Sequence, residues 1–351
     1  MIKHRGNGTG PDLPAQYFDT IGAPDVTAVI TALWRRAHMI LDGEPHVLDD
    51  DLGFRLADTP EVLAAAGFPP GEAWLEHPAM QVRPWRASIV ARARLVEDLV
   101  ADRSRDGLSQ LIILGAGLDT FALRHTQDSN SMLVFEVDHP RTQHWKQARL
   151  HALGLPVPKA LRFAPFDFES GGSWVAALGD AGFDPARPAV VALAGLTQYL
   201  TQDAIQQTMR DVAGLAPGTT YVATFIVSPE AADPADRELI ARTAQINKER
   251  GTPWLSTFTP GQFAHLAHES GLHNPAIITS ATLTDRYFTG RGDALRPCSG
   301  EQILTAGPSG LQSAGLTPRP SAASTDANSL QSRLFLPSGF SSPPTRACRR
   351  A

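Results

Sequence analysis

The spacing of hydrophobic positions changes several times along this chain, and the sharpest change lies between Leu111 and Thr120. Leu111-Ile-Ile-Leu114 is fully apolar, the pattern of a buried parallel strand. The run breaks into Gly115-Ala116-Gly117, where glycines let the backbone turn tightly and meet a ligand without a Cβ in the way. Asp119 or Thr120 then caps a helix beginning near Phe121. A second apolar run, Met132 to Val137, carries Glu136, ends in Asp138 and is stopped by Pro140.

Upstream the period is helical. Val26, Val29, Ile30, Leu33, Ala37, Ile40 and Leu41 fall on one face, with Asp25 as cap and Gly43 as stop. Thr59-Pro60-Glu61 writes a second helix start. A third helix, about Val82 to Arg103, has an apolar stripe of Trp85, Ile89, Val96 and Leu99 with Arg92 in its middle. Downstream, Thr142 to Leu153 predicts a solvated helix and Ala160 to Phe168 a strand. A helix at Gly172 to Leu178, a turn at Asp184-Pro185, a strand at Ala189 to Leu193 and a helix at Thr201 to Gly214 follow. Thr219 to Val227 is a β-branched strand, Ser228 to His273 a helical insertion, and Ala276 to Arg286 and Glu301 to Ala306 the last strands.

This order places chemistry at one point. A carboxylate closing the second strand can accept both ribose hydroxyls, and the 21 positions from Gly117 to Asp138 suit a βαβ unit holding a nucleoside at its carboxyl edge. A dinucleotide fingerprint needs a third glycine, where this chain has Thr120, which disfavours a nicotinamide-dependent oxidoreductase. Arg92 in an apolar stripe needs an anionic partner. The spacing leaves an internal ion pair to an aspartate and an anionic ligand equally open.

Ile113 to Thr120, Phe135 to Pro140 and Gly195-Leu-Thr-Gln-Tyr199-Leu200 together resemble the signature of the leucine carboxyl methyltransferase family and its bacterial relatives, from about Asp25 to Ala306. The resemblance implies an α/β, doubly wound, mostly parallel seven-stranded sheet of the Rossmann-like class I methyltransferase kind. It also implies an N-terminal helical cover and an inserted helical lid, about 228–273, that shapes the acceptor pocket. It implies S-adenosyl-L-methionine as cofactor and methyl transfer to an oxygen of a small-molecule or peptide acceptor carrying a carboxylate or hydroxyl. Carried onto this chain, it gives Gly115, Ala116 and Gly117 as the cofactor loop and Asp138 as the ribose acid. Arg92 becomes the partner of the methionyl carboxylate. Asp167 and Phe168 bracket the adenine, although Asp167 as a helix cap is the plain alternative. Two departures stand out: Ala194 where most relatives carry glutamate, and Phe121 where an arginine is common. Ala194 leaves open a shift of its role to a neighbour such as Gln198, or a fold that binds without transferring. No catalytic base announces itself, and Tyr199 orients an acceptor or simply packs.

Composition narrows the picture. A net charge of −5 does not support a nucleic-acid binder. No apolar run reaches the roughly 18 residues of a membrane span. Two cysteines, Cys298 and Cys348, make no disulfide framework, and a reducing cytoplasm is the simplest setting. His265, His268 and His273 lack an acidic metal-ligand pattern and read as an exposed helix face. Residues 1–24 read as a mobile arm and 307–351, rich in serine and proline, as a disordered tail. The oligomeric state has no sequence signal.

Overall fold

β1 (Gln110–Leu114) and β2 (Leu133–Asp138) pair in parallel, with Leu114 beside Val137. The alternation set by a strand's two-residue period sends Leu111 and Ile113 to one face of the sheet and Ile112 and Leu114 to the other. β3 (Leu161–Pro165), β4 (Val190–Leu193), β5 (Thr220–Ile226), β6 (His273–Ile278) and β7 (Glu301–Gly307) complete a seven-stranded sheet of order β3-β2-β1-β4-β5-β7-β6. Only β7 runs against the others. The chain winds outward from β1 to β3 and then returns to β4, so the carboxyl ends of β1 and β4 flank the switch point where α/β sheets open a crevice. This computed structural model describes residues 24–125, 132–168 and 170–308. The expected arm, except Pro24, and the expected tail, except Gly307 and Pro308, lie outside them.

Helices cover both faces. α4 (Arg83–Arg105) lays Ala87, Val90, Ala91, Leu95 and Leu99 on the face of Leu111 and Ile113. On the other face α7 (Trp174–Asp180), α8 (Gln202–Ala213) and α10 (Pro260–Glu269) contribute Trp174, Ile205, Met209 and Phe263. A separate apolar cluster lies under the N-terminal cover, where Val29 and Leu33 of α1 (Val26–Leu41), Leu56 of α2 (Leu52–Ala57) and Leu63 of α3 (Pro60–Ala65) meet Leu118 and Leu150. Asp25 caps α1 through Thr27 N at 2.7 Å, and Thr59 caps α3, as their sequences predict.

Three expectations change. α6 (Pro140–Ala152) buries Gln143, Lys146 and Leu150, so it is not a solvated helix. The stretch 228–273 divides: α9 (Arg237–Glu249) borders the crevice, but α10 is core, with Phe263 stacked on Phe225 at 4.3 Å. The expected strand at 276–286 is β6 ending at Ile278, followed by α11 (Ser280–Tyr287), which Thr279 caps through Thr282 N.

The cover is fastened to α4 by a buried cluster. Arg86 clamps Asp42 with Nε–Oδ2 at 2.7 Å and Nη2–Oδ1 at 2.6 Å, both side chains almost fully buried. His38 Nε2 accepts from Val47 N, so its Nδ1 carries the proton donated to Asp42 at 2.9 Å. Burial alone raises the Asp42 carboxyl, but hydrogen bonds from Arg86 and His38 outweigh it and hold it at about 2. The folded value lies below the unfolded one, so this contribution to stability is present above about pH 4 and lost as pH falls toward 2. Asp42→Ala strands a buried guanidinium and is expected to cost about 3–5 kcal/mol. Urea unfolding near pH 7 measures it, and a loss below about 1 kcal/mol would show that the cluster does not hold the cover.

Candidate cofactor and acceptor site

The loop after β1 is shaped by two glycines in the left-handed region, Gly115 at φ 68° and Gly117 at φ 50°. A Cβ on Gly115 would lie 2.8 Å from Leu196 Cδ2, and one on Gly117 3.2 Å from Ala28 Cβ. A side chain at either glycine would therefore be strained by its positive φ and crowded by the β4 loop or α1. Gly115 N donates to Val137 O at 2.8 Å, which ties the loop to the end of β2. Asp119, rather than Thr120, caps the one-turn α5 (Phe121–Arg124) by accepting from Phe121 N at 2.8 Å. Thr120 instead donates to Asp50 Oδ2 at 2.7 Å.

Asp138 closes β2 at the mouth of this loop. Its Oδ2 accepts from Gly117 N and its Oδ1 from His139 N. Burial outweighs these two donors and pushes the carboxyl above its ordinary value. Each oxygen keeps lone-pair capacity beyond its backbone bond, which a diol could use. Beneath the loop, Lys146 donates to Asp119 O and to Glu136 Oε2, both at 2.6 Å. Complete burial pushes the Glu136 carboxyl up to about 7 against the pull of Lys146. Asp50, 1% exposed, joins the cover to the loop: Arg35 bridges from it to Leu118 O. Burial raises the Asp50 carboxyl, but Arg35 and Arg124 more than offset that and keep it low.

A cavity of about 270 Å³ opens at the carboxyl ends of β1 and β4. Gly115, Ala116, Gly117 and Asp138 border one part of it, and Arg92 enters from α4. Arg92 Nη1 lies 2.6 Å from Glu301 Oε1, at the start of β7. The internal partner is thus a glutamate from β7 and not the expected aspartate. The other part is walled by Trp34, Trp85, Tyr199 and Trp254. Trp85 donates to Thr243 of α9 at 2.9 Å, and Leu255 N and Ser256 Oγ hold the 254–256 segment to Gln198 O and Leu200 O, both at 2.7 Å. Phe168 lies outside this cavity, edge-on to Phe166 at 5.2 Å. It lines a neighbouring one of about 380 Å³ with Trp174 and Tyr199. Asp167 lines neither cavity; its carbonyl accepts from Ser170 N and Oγ. Ser173, not Asp167, caps α7. His265 sits exposed and pairs with Glu269 at 3.3 Å.

The residues that sequence reasoning missed are Asp50, Lys146 and Glu301. Each acts through a partner distant in sequence, Glu301 209 positions from Arg92, and no local pattern marks any of them.

Comparison with known proteins decides the family. The model of the leucine carboxyl methyltransferase family matches residues 28–213, more than half of the chain. The chain belongs to the leucine carboxyl methyltransferase family. YktD of Bacillus subtilis strain 168, provisionally named an S-adenosyl-L-methionine-dependent methyltransferase, is 30% identical over 63% of this chain and 74% of its own length. A Mycolicibacterium smegmatis protein of the same provisional name is 38% identical over 40% of this chain and 44% of its own, so the match spans under half of that relative. The crystal structure of a provisionally named methyltransferase from Thermobifida fusca YX superposes with a TM-score of 0.50 at 19% identity, covering 73% of this chain and 93% of that one, which establishes the shared fold. As a member of this family the protein is an S-adenosylmethionine-dependent methyltransferase, and the oxidoreductase reading falls away. The residues present fit that cofactor: a glycine cradle that a Cβ would fill, and beside it the buried Asp138 carboxylate with acceptor capacity that a ribose diol could use. Asp138→Ala is expected to weaken S-adenosylmethionine binding by roughly 10-fold or more, from about 1.5–3 kcal/mol of charged hydrogen bonds. Calorimetric titration of the folded variant checks this, and unchanged affinity would remove Asp138 from the ribose site.

Proposed function

We propose that this protein transfers the methyl group to an oxygen of a small acceptor, and that the oxygen belongs to a carboxylate. The observation that carries the reading is the state of the ionisable groups around the cavity. Six acids line it, and each is already engaged: Asp25 by Thr27, Asp50 by Arg35, Glu97 by Arg124, Asp119 by Phe121 N, Asp138 by Gly117 N and Glu301 by Arg92. No histidine is among the described residues lining it. Burial pushes the Tyr199 phenol above its ordinary value, so it is a poor base near neutrality. The site therefore offers little means of removing a proton from an alcohol.

A carboxylate, with an ordinary pKa near 4, arrives ionised and needs none. Bound S-adenosylmethionine supplies an electrophilic methyl on a cationic sulfur. The protein's task is to orient and to exclude water. Gly115, Ala116, Gly117 and Asp138 hold the nucleoside end, and Arg92 the methionyl carboxylate. Phe168 and Asp167 do not line this cavity, so their assignment to the adenine rests on the family resemblance alone. Trp85 and Trp254, packed edge-to-face at 6.1 Å, form with Tyr199 an aromatic wall that suits an aromatic or branched acceptor body. The tethered 254–256 segment keeps that wall in place. Arg92 in its pair with Glu301 does not face the acceptor as a free cation, which favours an acceptor of modest charge. Residues 25–306 carry all of these groups, and the protein acts in the cytoplasm in this reading.

Two measurements test the acceptor class. With labelled methyl donor and a panel of carboxylic acids and the matching alcohols, the acids are expected to give methyl esters that release methanol in mild alkali. For the accepted acid, kcat/KM is expected to stay flat within about twofold from pH 6 to 8.5. An alkali-stable ether product, or a rate rising about tenfold per pH unit, would show instead that the acceptor is a hydroxyl deprotonated during the reaction.

A further inference from the structure

Arg92 and Glu301 form a buried ion pair in the wall of the cavity, with side chains 12% and 5% exposed. A buried pair stabilises a fold poorly, because desolvation offsets its attraction. Its position points to a ligand instead. Gly195, at φ 88°, is the surface on which Arg92 rests: a Cβ there would lie 2.4 Å from Arg92 Nη2. The carbonyl of Gly195 accepts from Gln198 Nε2 at 3.0 Å. The other end of that amide, Gln198 Oε1, is buried and has no hydrogen-bond partner among the described residues, although Gln198 lines the cavity and is 7% exposed. Ala194, the preceding cavity residue, adds no polar side chain.

One end of the cavity thus brings together a guanidinium, a carboxylate and an orphan acceptor. A single positive or negative ligand would satisfy only part of this set and leave the remainder opposed. An α-amino acid group in its zwitterionic form satisfies all of it, because its carboxylate matches the arginine fork and its ammonium carries three donors. We propose that Glu301, together with Gln198 Oε1, binds the methionyl ammonium of S-adenosylmethionine while Arg92 takes its carboxylate. The proposal rests on the S-adenosylmethionine reading of the cavity, and it assigns to β7 an acidic contact that Ala194 does not provide. The ion pair in the free protein holds both charged groups in place before the ligand arrives, so the ligand inserts into an arrangement already formed.

Binding of two probes by the full chain tests this without catalysis. S-Adenosylhomocysteine keeps the amino acid end, and 5′-methylthioadenosine has the same nucleoside without it. The wild-type protein is expected to bind the first at least 10-fold more tightly. Glu301→Gln is expected to lower affinity for S-adenosylhomocysteine at least 10-fold while leaving that for 5′-methylthioadenosine within about twofold, and Gln198→Leu to act in the same direction. Since Glu301→Gln leaves Arg92 without its carboxylate, the double variant Arg92→Gln with Glu301→Gln, which buries no unpaired charge, is measured beside it. The expected result is loss of most of the preference between the two probes, with thermal unfolding showing a folded protein. Unchanged binding of S-adenosylhomocysteine by folded Glu301→Gln, or an equal loss for both probes, would overturn the proposal. Wild-type protein that binds neither probe would overturn the cofactor reading itself; wild-type protein that binds both equally would overturn only the amino acid subsite.

Discussion

The turn at Gly115 and Gly117 is the constraint on which the rest of the site depends. Both residues sit at positive φ with neighbours close to where a Cβ would be, so the backbone passes closely between α1 and the β4 loop in a conformation that favours glycine. That close passage fixes where Gly117 N points, and Asp138 meets it. It also leaves Leu118 O and Thr120 facing Asp50 and Arg35, which draws the N-terminal cover over the crevice. A single backbone geometry thereby locates Asp138, the loop and the roof of the cavity. Lys146 supports it from below, with its charge divided between Asp119 O and Glu136.

How much of this was legible in the sequence follows from the range of the interactions concerned. The glycine loop, the strands around it, Asp138 and the caps at Asp25, Thr59 and Thr201 are written in neighbouring residues, and the structure forms them as expected. α6 misled because its composition is polar, yet a lysine buried on a glutamate of the preceding strand β2 looks identical in sequence to one in solvent. The 276–286 stretch misled because β-branched residues cluster in it, while a threonine cap at Thr279 turns the chain into a helix. Glu301 was invisible as a site residue. The antiparallel pairing of β7 with β5 sets Glu301 beside Ile226 at the carboxyl edge of the sheet, and no pattern near residue 301 announces that placement.

The charged groups at the crevice divide into two sets with different tasks. Asp42, Asp50 and their arginines lock the cover by pairs that gain little by themselves but cost much to break. Asp138, Arg92 and Glu301 face the cavity, where a ligand can share their bonds. The absence of an unengaged acid or histidine among the described cavity-lining residues connects this electrostatic pattern with the chemistry: a site that binds and orients suits an acceptor that comes already ionised. Of the two cavity-lining positions Ala194 and Glu301, only the one on β7 carries an acid.

If the crevice above β1 and β4 binds S-adenosylmethionine through the Gly115–Gly117 loop, calorimetric titration of the full chain with S-adenosylmethionine and, separately, with NAD will separate the two ligands. Saturable binding of one S-adenosylmethionine per chain and no saturable binding of NAD is the expected result. Binding of NAD alone, or of neither, would contradict it.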